Sequence, residues 1–375
     1  MAGIYIHVPF CKSRCIYCDY FTSANEVEMD SYVKALGKEI TNRKDELSNE
    51  VIKTIYFGGG TPSRLQFSHF DYIFKTIFQN YTINSSVEIT IEANPDDLST
   101  TYVDMLSDLP FNRMSIGIQS FDDNELKFLS RRHDAKRAID SVEYCQAKGF
   151  SNISIDLMYG LPKQTIEIWE NSLEQACKLN IQHISAYHLI YEEKTKLYNL
   201  LQAGKVNPVE EDSSLEMFEM LIDKLEKEGF EHYEVSNFAK KGLISQHNTS
   251  YWKSEKYMGL GPAAHSFDGE HRWWNVSSLP KYINGINNDE PDFEIEDLDL
   301  STKYNEYIIT GLRTKWGINL EELKMKFGEE LCDYFLKGAE KYLRLNHMSK
   351  NNNNITLTRA GIFIADGIVS DLMVV

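Results

Sequence analysis

The first 200 residues alternate between short apolar runs and longer amphipathic segments. Runs rich in β-branched or alternating apolar residues predict strands, and apolar residues three or four apart predict helices. The predicted strands cover residues 3–8, 54–57, 87–92, 113–118, 152–158 and 183–190. Helices are predicted at residues 26–43, from about residue 68, after a cap at Ser99, across 122–148 and at 165–179. Six β–α units in a row predict an α/β fold with a parallel sheet, which we interpret as a partial, TIM-type (β/α)6 barrel over about residues 1–200.

The pattern changes after the barrel. Residues 210–228 predict an acidic amphipathic helix, and residues 232–282 are rich in Trp, Tyr, His and Gly. A helical block begins near residue 300, and the Asn run at 351–354 is typical of a turn between two short strands. We therefore divide the chain into a core at residues 1–230, an accessory aromatic and His-rich region at 231–295, and a mainly helical C-terminal domain at 296–375.

Composition narrows the function classes. The 375 residues are 42% hydrophobic and 25% charged, which is typical of a globular protein. No apolar run reaches the 18 or so residues of a membrane span, and the N-terminus lacks a signal-peptide pattern. The net charge of −17 disfavours nucleic acid as a partner, because such binding needs a basic surface.

Three cysteines near the N-terminus have the spacing C-x3-C-x2-C: Cys11, Cys15 and Cys18. Clusters of the [4Fe–4S] type usually bind four cysteine thiolates. Three thiolates with no fourth nearby leave one iron free to bind a small molecule, which indicates a reactive site. The spacing is also the signature of radical SAM proteins, whose open iron binds S-adenosylmethionine. An exposed cluster of this kind favours a reducing, cytoplasmic location.

Two other interpretations of the cysteines are weaker. A structural zinc site needs a fourth ligand, and only His7 is close in sequence, within an apolar strand-like run. A disulfide framework is typical of small secreted chains rather than of a chain this long. The remaining cysteines are isolated in helix-like segments and are expected to be small buried apolar residues: Cys145, Cys177 and Cys332.

Polar and glycine residues follow the carboxyl ends of the predicted strands, where barrel active sites lie. The glycine run of residues 58–60, followed by Thr61, allows a ligand to approach the backbone. Glu92 ends the third strand, and either hydrogen bonding to a ligand or a solvated position fits it. Further polar groups at or beyond strands four and five are expected to face the mouth of the barrel: Gln119, Arg131 and Asp156.

These segments together resemble the oxygen-independent coproporphyrinogen III oxidase family of radical SAM proteins. The motifs are Tyr5-Ile-His7-Val-Pro9-Phe-Cys11, Gly58-Gly-Gly-Thr61-Pro62, Glu92-Ala-Asn-Pro95, Gly117-Ile-Gln119-Ser-Phe121, Arg131-Arg-His133 and Asp156-Leu-Met-Tyr-Gly160-Leu-Pro162. The resemblance covers essentially the whole chain. It implies that Tyr5, Gly59 and Glu92 contact a cluster-bound S-adenosylmethionine. It also implies positions for a second S-adenosylmethionine at Tyr17, Gly60, Thr61, Gln119, Arg131 and Asp156.

Two departures point to the haem chaperone (HemW-like) branch of that family rather than to the oxidase. The oxidase pattern has a fourth cysteine where this chain has Tyr20, and it has a long segment before the cysteine loop. The expected function is therefore binding and delivery of haem, with oxidative decarboxylation of coproporphyrinogen III as the alternative. RNA modification, a third possibility, fits the acidic charge poorly. The expected partners are haem, haem-accepting proteins and, through the cluster, a second copy of the chain.

The same branch associates an H-N-x-x-Y-W element with haem, and this chain has it at residues 247–252. A neutral imidazole is a suitable axial ligand for haem iron, so His247 is the candidate ligand. Flat apolar surface for a porphyrin is available nearby on Tyr251, Trp252, Trp273 and Trp274. His265 is the competing ligand candidate, and packing of the aromatic residues over the barrel mouth is the plainer alternative for the whole region.

Overall fold

The computed structural model describes residues 2–47 and 50–374. The strands are β1 (Ala2–Val8), β2 (Ile52–Gly59), β3 (Ile83–Ala93), β4 (Arg113–Gln119), β5 (Ile153–Tyr159), β6 (His183–His188), β7 (Phe230–Glu234), β8 (Asn237–Lys240), β9 (Tyr257–Leu260), β10 (His265–Phe267), β11 (His271–Asn275), β12 (Phe293–Asp297), β13 (Ile318–Asn319), β14 (Met348–Asn351) and β15 (Asn354–Leu357). The helices are α1 (Met29–Asn42), α2 (Phe67–Asn80), α3 (Thr100–Ser107), α4 (Asp123–Phe128), α5 (Ala135–Ala147), α6 (Ile166–Lys178), α7 (Lys196–Gln202), α8 (Glu211–Lys227), α9 (Gln246–Trp252), α10 (Leu279–Asn287), α11 (Leu300–Leu312), α12 (Leu320–Arg344), α13 (Arg359–Ile362) and α14 (Ala365–Leu372).

Strands β1 to β6 pair in chain order, and each pair is parallel. Helices α1, α2, α3, α5 and α6 lie between these strands along the chain, so the α/β fold and the six predicted strands are confirmed. Ser99 caps α3 by accepting a hydrogen bond from the backbone N–H of Tyr102. The carboxyl ends of six parallel strands therefore meet at one edge, which is where the predicted functional residues lie.

Later strands extend the barrel sheet at both of its edges. Within the described residues twelve strands form one sheet, in the order β12-β11-β10-β9-β1-β2-β3-β4-β5-β6-β8-β7. Strand β9 pairs with β1 in parallel, whereas β10, β11 and β12 follow in antiparallel order. At the other edge β8 pairs with β6 and β7 pairs with β8, both antiparallel. The accessory region thus continues the barrel sheet, and the domain boundaries stay predictions.

Successive residues of the barrel strands face two environments, the apolar core and the inner face of the barrel. On β1, Ile4, Ile6 and Val8 are fully buried in the apolar core together with residues of α1 and α2. Tyr5 and His7 point to the opposite, inner face, because successive strand residues alternate. The inner face is unusually polar, and it carries most of the candidate functional side chains.

The C-terminal residues form their own apolar cluster, which includes Tyr304, Phe335 and Ile355. Helices α11, α12 and α14 supply most of it, together with the small sheet β13-β15-β14. Strands β14 and β15 flank the turn that the Asn run predicted. Backbone hydrogen bonds join this unit to the barrel sheet, from Val235 N–H to the carbonyl of Arg313 and from Lys315 N–H to that of Tyr233. None of the described helices has the length and apolarity needed to cross a bilayer.

A buried carboxylate ties the accessory strands to the first helix of the barrel. Glu39 on α1 is 1% exposed. It accepts hydrogen bonds from the backbone N–H of Gly261 (2.9 Å), the amide of Asn275 (2.7 Å) and the hydroxyl of Tyr282 (2.6 Å). Arg43, one turn further along the helix, lies 2.9 Å from the same carboxylate and balances its charge. Four groups thus depend on one side chain.

We expect Glu39→Ala to lower the free energy of unfolding by about 3–5 kcal/mol, since it leaves Arg43 and several polar groups buried without their partner. Urea denaturation followed by circular dichroism measures this. Glu46→Ala is the matched control, because the Glu46 side chain is 37% exposed and also pairs with Arg43. The control should lose no more than about 1 kcal/mol. Equal losses in the two variants would contradict the role assigned to Glu39.

Candidate functional site

The three cysteines lie on an anchored loop that follows β1. Cys11, Cys15 and Cys18 are each half-buried, and none of the cysteines in the described ranges forms a disulfide. Between them, Ile16 is buried in a small apolar cluster with Leu129. The Ile16 N–H donates a hydrogen bond to the Leu129 carbonyl. The Ile16 carbonyl accepts one from the N–H of Leu197, in the first turn of α7. The loop therefore presents its thiols from a fixed backbone.

The three thiols lie close enough to influence one another. Burial, together with the charges of Cys15 and Cys11, raises the pKa of the Cys18 thiol to about 11. Burial also raises the pKa of Cys11, although the Thr61 hydroxyl, 3.2 Å from its sulfur, counteracts this. Arg131 donates a hydrogen bond from Nη1 to the Cys15 sulfur at 3.3 Å. The Thr61 hydroxyl and the Arg131 guanidinium therefore offset part of the effect of burial on Cys11.

This donor set fits an iron–sulfur cluster, in which each thiolate binds a different iron. Among the described residues, no three His, Cys, Asp or Glu side chains converge on one point as a single metal ion requires. Cys145 and Cys332 are buried and Cys177 is half-buried against the core, all on helices, as small apolar residues would be.

The glycine loop after β2 packs directly against β1 and the cysteine loop. A Cβ atom on Gly59 would lie 2.6 Å from the His7 ring, and one on Gly60 would lie 2.9 Å from the Phe10 carbonyl oxygen. Gly59 also has a φ of +105°, which few other residues adopt. Gly60 N–H donates to the Val8 carbonyl at 2.8 Å. The glycines are therefore required by close contacts within the protein itself.

Glu92 lies on the inner face beside this loop. Its carboxylate accepts hydrogen bonds from the Tyr56 hydroxyl (2.8 Å) and the Gly59 N–H (3.2 Å), so it is not a solvated strand end. Burial raises the pKa of Glu92 to about 7, and the Asp156 carboxylate adds to the rise. Tyr5 is stacked on Tyr56, with ring centroids 6.2 Å apart. Its hydroxyl lies 3.1 Å from Nδ1 of His7.

Asp156 lies across the barrel from the cysteine loop. It accepts a hydrogen bond from the Ser115 hydroxyl at 3.3 Å and another from Ser185. Burial raises the pKa of Asp156 to about 6, and the Arg113 guanidinium opposes that rise. Arg113 is only 1% exposed, and its Nε is buried without a hydrogen-bond partner among the described residues.

Gln119 and Arg131 meet at a bulge where β4 leaves the sheet. Gln119 has a φ of +73°, and the pairing of β4 with β5 shifts register there. The Arg131 guanidinium donates to the Gly117 carbonyl (2.5 Å) and hydrogen-bonds Tyr17. Arg131 therefore joins the bulge to the cysteine loop, and it is not a solvated helix end.

His247 lies in the first turn of α9 and is 1% exposed. Its Nδ1 lies 2.7 Å from the Thr54 hydroxyl and its Nε2 lies 2.8 Å from the Tyr251 hydroxyl. Its ring stacks on Tyr56, with centroids 4.9 Å apart. Burial lowers the pKa of His247 to about 3, so the ring is neutral. Ligation of haem iron by His247 would break one of these hydrogen bonds, and the assignment stays a prediction.

The other aromatic candidates do not form one surface. Trp273 and Trp274 are successive residues of β11, so they point to opposite faces of the sheet. Trp274 stacks on the exposed His265, with centroids 5.4 Å apart. Trp273 faces the other way, with the Arg43 guanidinium 5.9 Å from its ring centroid.

Several inner-face residues were missed from the sequence: Thr54, Tyr56, Arg113, Ser115 and Ser185. Their signal is the alternation of polar residues within otherwise apolar strands, as at Thr54 and Tyr56 of β2. A half-buried strand normally shows this alternation with its polar side toward solvent. In this barrel the polar side faces the interior instead.

Comparison with known proteins identifies the family of this chain. Residues 5–176 match the radical SAM superfamily and residues 298–364 match the HemN C-terminal domain. A Bacillus subtilis protein named "Heme chaperone HemW" is 35% identical over 366 residues, which are 96% of each chain. The protein of the same name from Lactococcus lactis is 35% identical, over 86% of this chain and 84% of its own.

The chain belongs to the HemW family of radical SAM proteins. The solved structure of coproporphyrinogen III oxidase (HemN) from Escherichia coli has the same fold, with a TM-score of 0.86 over 99% of this chain and 90% of its own. At 21% identity this similarity shows the fold alone. Membership of the HemW family agrees with the position of Tyr20, which is exposed beside the cysteine loop.

We predict that ionisation of Glu92 destabilises the protein without cofactors as the pH rises from about 4.5 to 7. The folded protein holds the proton of Glu92 more tightly than the unfolded chain does, so ionisation of Glu92 destabilises the fold. The loss from this group should be on the order of 1–3 kcal/mol. The buried neutral histidines act in the opposite direction over this range, so the test compares Glu92→Gln with the parent. In urea denaturation the variant should gain unfolding free energy relative to the parent as the pH rises. A variant with the parent's curve would contradict the prediction.

Proposed function

We propose that this protein is a haem chaperone, which binds haem and delivers it to haem-requiring proteins. The observation that carries the proposal is the similarity to "Heme chaperone HemW" of Bacillus subtilis along 96% of both chains. The inner face of the barrel and its extension supply chemistry that suits it. Three cysteines lie on one loop after β1, next to the hydroxyl of Thr61 and the guanidinium of Arg131.

In this proposal Cys11, Cys15 and Cys18 hold a [4Fe–4S] cluster whose fourth iron binds S-adenosylmethionine. When bound, that cluster supplies an electron for reductive cleavage of S-adenosylmethionine. Arg131 stabilises the Cys15 thiolate by donating a hydrogen bond to it. Thr61 does the same for Cys11.

The residues proposed to contact the cluster-bound S-adenosylmethionine are Tyr5, Gly59 and Glu92. Glu92 already accepts a hydrogen bond from the backbone of Gly59, which fixes the carboxylate beside the glycine loop. The residues proposed for a second S-adenosylmethionine are Tyr17, Gly60, Thr61, Gln119, Arg131 and Asp156. Arg131 hydrogen-bonds Tyr17 and is close to Gln119 at the bulge, which supports a shared role for these three residues.

We expect anaerobic reconstitution to give about four iron and four sulfide per chain, with an EPR signal that changes on addition of S-adenosylmethionine. Replacing Cys11, Cys15 and Cys18 together with Ala should remove the cluster. The matched control replaces Cys145, Cys177 and Cys332 with Ala, and it should keep the full iron content. A full cluster in the first triple variant would contradict the ligand assignment.

The alternative function is oxidative decarboxylation of coproporphyrinogen III. The Escherichia coli protein that shares this fold is named for that reaction. Tyr20 argues against it, because the oxidase pattern has a cysteine at that position. We therefore predict no protoporphyrinogen IX after anaerobic incubation of the reconstituted protein with coproporphyrinogen III, S-adenosylmethionine and reductant. Chromatography of the oxidised porphyrins measures this. Conversion at a rate of several turnovers per hour would favour the oxidase instead.

We place the protein in the cytoplasm, because the half-exposed thiols of an open cluster are sensitive to oxidation. The proposed partners are haem and haem-accepting proteins. From the family resemblance we also propose a homodimer, in which a second copy of the chain binds through the cluster.

A further inference from the structure

The last strand of the large sheet has one open backbone edge. Strand β12 ends the strand order, and in the described part of the chain it pairs with β11 alone. The Asp292 carbonyl, just before β12, accepts a hydrogen bond from Val276 N–H across the ladder. In an antiparallel ladder every second residue bonds to the same neighbouring strand. The backbone N–H and C=O groups of Phe293, Ile295 and Asp297 therefore point away from β11, where another strand can bond to them.

The side chains of β12 alternate between apolar and acidic residues. Phe293 and Ile295 lie on one face of the sheet, and they are 49% and 60% exposed. Ile295 pairs with Trp273 on β11, so this face continues the apolar surface of the indole. Glu294 and Glu296 lie on the opposite face, and both are exposed. The strand therefore presents an apolar face and an acidic face along one free edge.

The negative charge around this edge is only partly balanced. Residues 289–299 contain seven Asp or Glu residues and no Lys or Arg. Asp289 lies 2.7 Å from Lys38, and Glu296 lies 3.8 Å from Arg272. Among the described residues, no other carboxylate of this stretch forms an ion pair with a Lys or Arg. The excess of negative charge favours a cationic partner over a neutral or acidic one.

A second copy of the chain is a poor occupant of this edge. Two β12 strands that paired antiparallel about Ile295 would place Glu294 of each copy opposite Glu296 of the other. Like charges directly opposite each other destabilise a ladder. Charged side chains on edge strands commonly prevent such self-pairing. The same carboxylates attract a strand that has Lys or Arg at the opposing positions.

Antiparallel continuation of the sheet specifies the sequence pattern of the partner strand. Partner residues opposite Glu294 and Glu296 would lie in non-hydrogen-bonded pairs, with Cα atoms about 4.5 Å apart and side chains close together. Lys or Arg at these two positions would pair with the carboxylates. Partner residues opposite Phe293 and Ile295 would continue the apolar face. Val or Ile suits that face and an extended backbone.

We propose that β12 is the docking edge for a basic, extended segment of a partner protein, which adds one strand to the sheet. The segment alternates Lys or Arg with Val or Ile and pairs antiparallel to β12. In this mode of recognition main-chain hydrogen bonds supply affinity and alternate side chains supply selectivity. The inference goes beyond the haem chaperone function and does not depend on it, because the cysteine loop takes no part in the edge.

A synthetic peptide tests the proposal on the full-length protein. The probe is a fluorescein-labelled, amidated peptide of sequence Thr-Lys-Val-Lys-Val, titrated by fluorescence anisotropy. Glu294→Lys/Glu296→Lys should weaken its binding about tenfold or more, because two attractive cross-strand pairs become repulsive. Glu192→Lys/Glu193→Lys is the matched control, since it changes the net charge equally at two exposed residues in the loop after β6. The control should bind the peptide within about twofold of the parent, because salt screens distant charges.

Two methylated peptides separate strand addition from simple charge attraction. Methyl groups on the backbone nitrogens of the two Val residues remove the N–H donors that would face β12, so binding should be lost. Methyl groups on the backbone nitrogens of the two Lys residues lie on the side that faces away from β12. That peptide should bind nearly as well as the unmethylated one.

The expected result is saturable binding that Glu294→Lys/Glu296→Lys and methylation at Val both abolish or weaken. An equal loss in the control variant, or equal effects of the two methylations, would show charge attraction alone and overturn the proposal. Failure of the parent to bind the peptide would overturn it as well. If the parent instead forms a dimer in analytical ultracentrifugation that Glu294→Lys/Glu296→Lys abolishes, the edge belongs to a second copy and the proposal is wrong.

Discussion

The close approach of two loops, at the carboxyl ends of β1 and β2, is the contact on which the candidate site depends. No room exists for a side chain at Gly59 or Gly60, because a Cβ atom would meet His7 or the Phe10 carbonyl at less than 3 Å. The contact brings the Thr61 hydroxyl to the sulfur of Cys11. It also directs a backbone N–H of the glycine loop at a carboxylate of β3. If the two loops separated, the Cys11 thiol would lose its contact with Thr61 and the Glu92 carboxylate would lose the Gly59 N–H.

A second constraint comes from a cation inside the barrel. Arg113 is buried on the inner face, where water cannot screen its charge. Burial lowers the pKa of His183 and His247, and Arg113 lowers both further. The same cation opposes the rise in the pKa of Asp156. The interior therefore contains neutral imidazoles, and both ring nitrogens of His183 and of His247 lie within hydrogen-bond distance of hydroxyl groups.

Local features of the chain were predictable from the sequence and distant contacts were not. The strands and the cysteine and glycine loops follow from patterns within about ten residues, and the structure contains them. The H-N-x-x-Y-W motif identified His247 as the candidate haem ligand. Its burial depends on Thr54, which is 193 residues away in the chain. Likewise Glu39 meets Gly261 across 222 residues, and no periodicity reveals which strand joins the free edge of β1.

The proposed function depends most directly on the cysteine loop, which has to hold an iron–sulfur cluster beside the glycine loop. Anomalous diffraction at the iron edge, from anaerobic crystals of the reconstituted protein, tests this most directly. The account predicts iron among the sulfurs of Cys11, Cys15 and Cys18, within reach of the Thr61 hydroxyl. Fully reconstituted crystals with no iron at this loop, or with iron at Cys145, Cys177 or Cys332 instead, would contradict it.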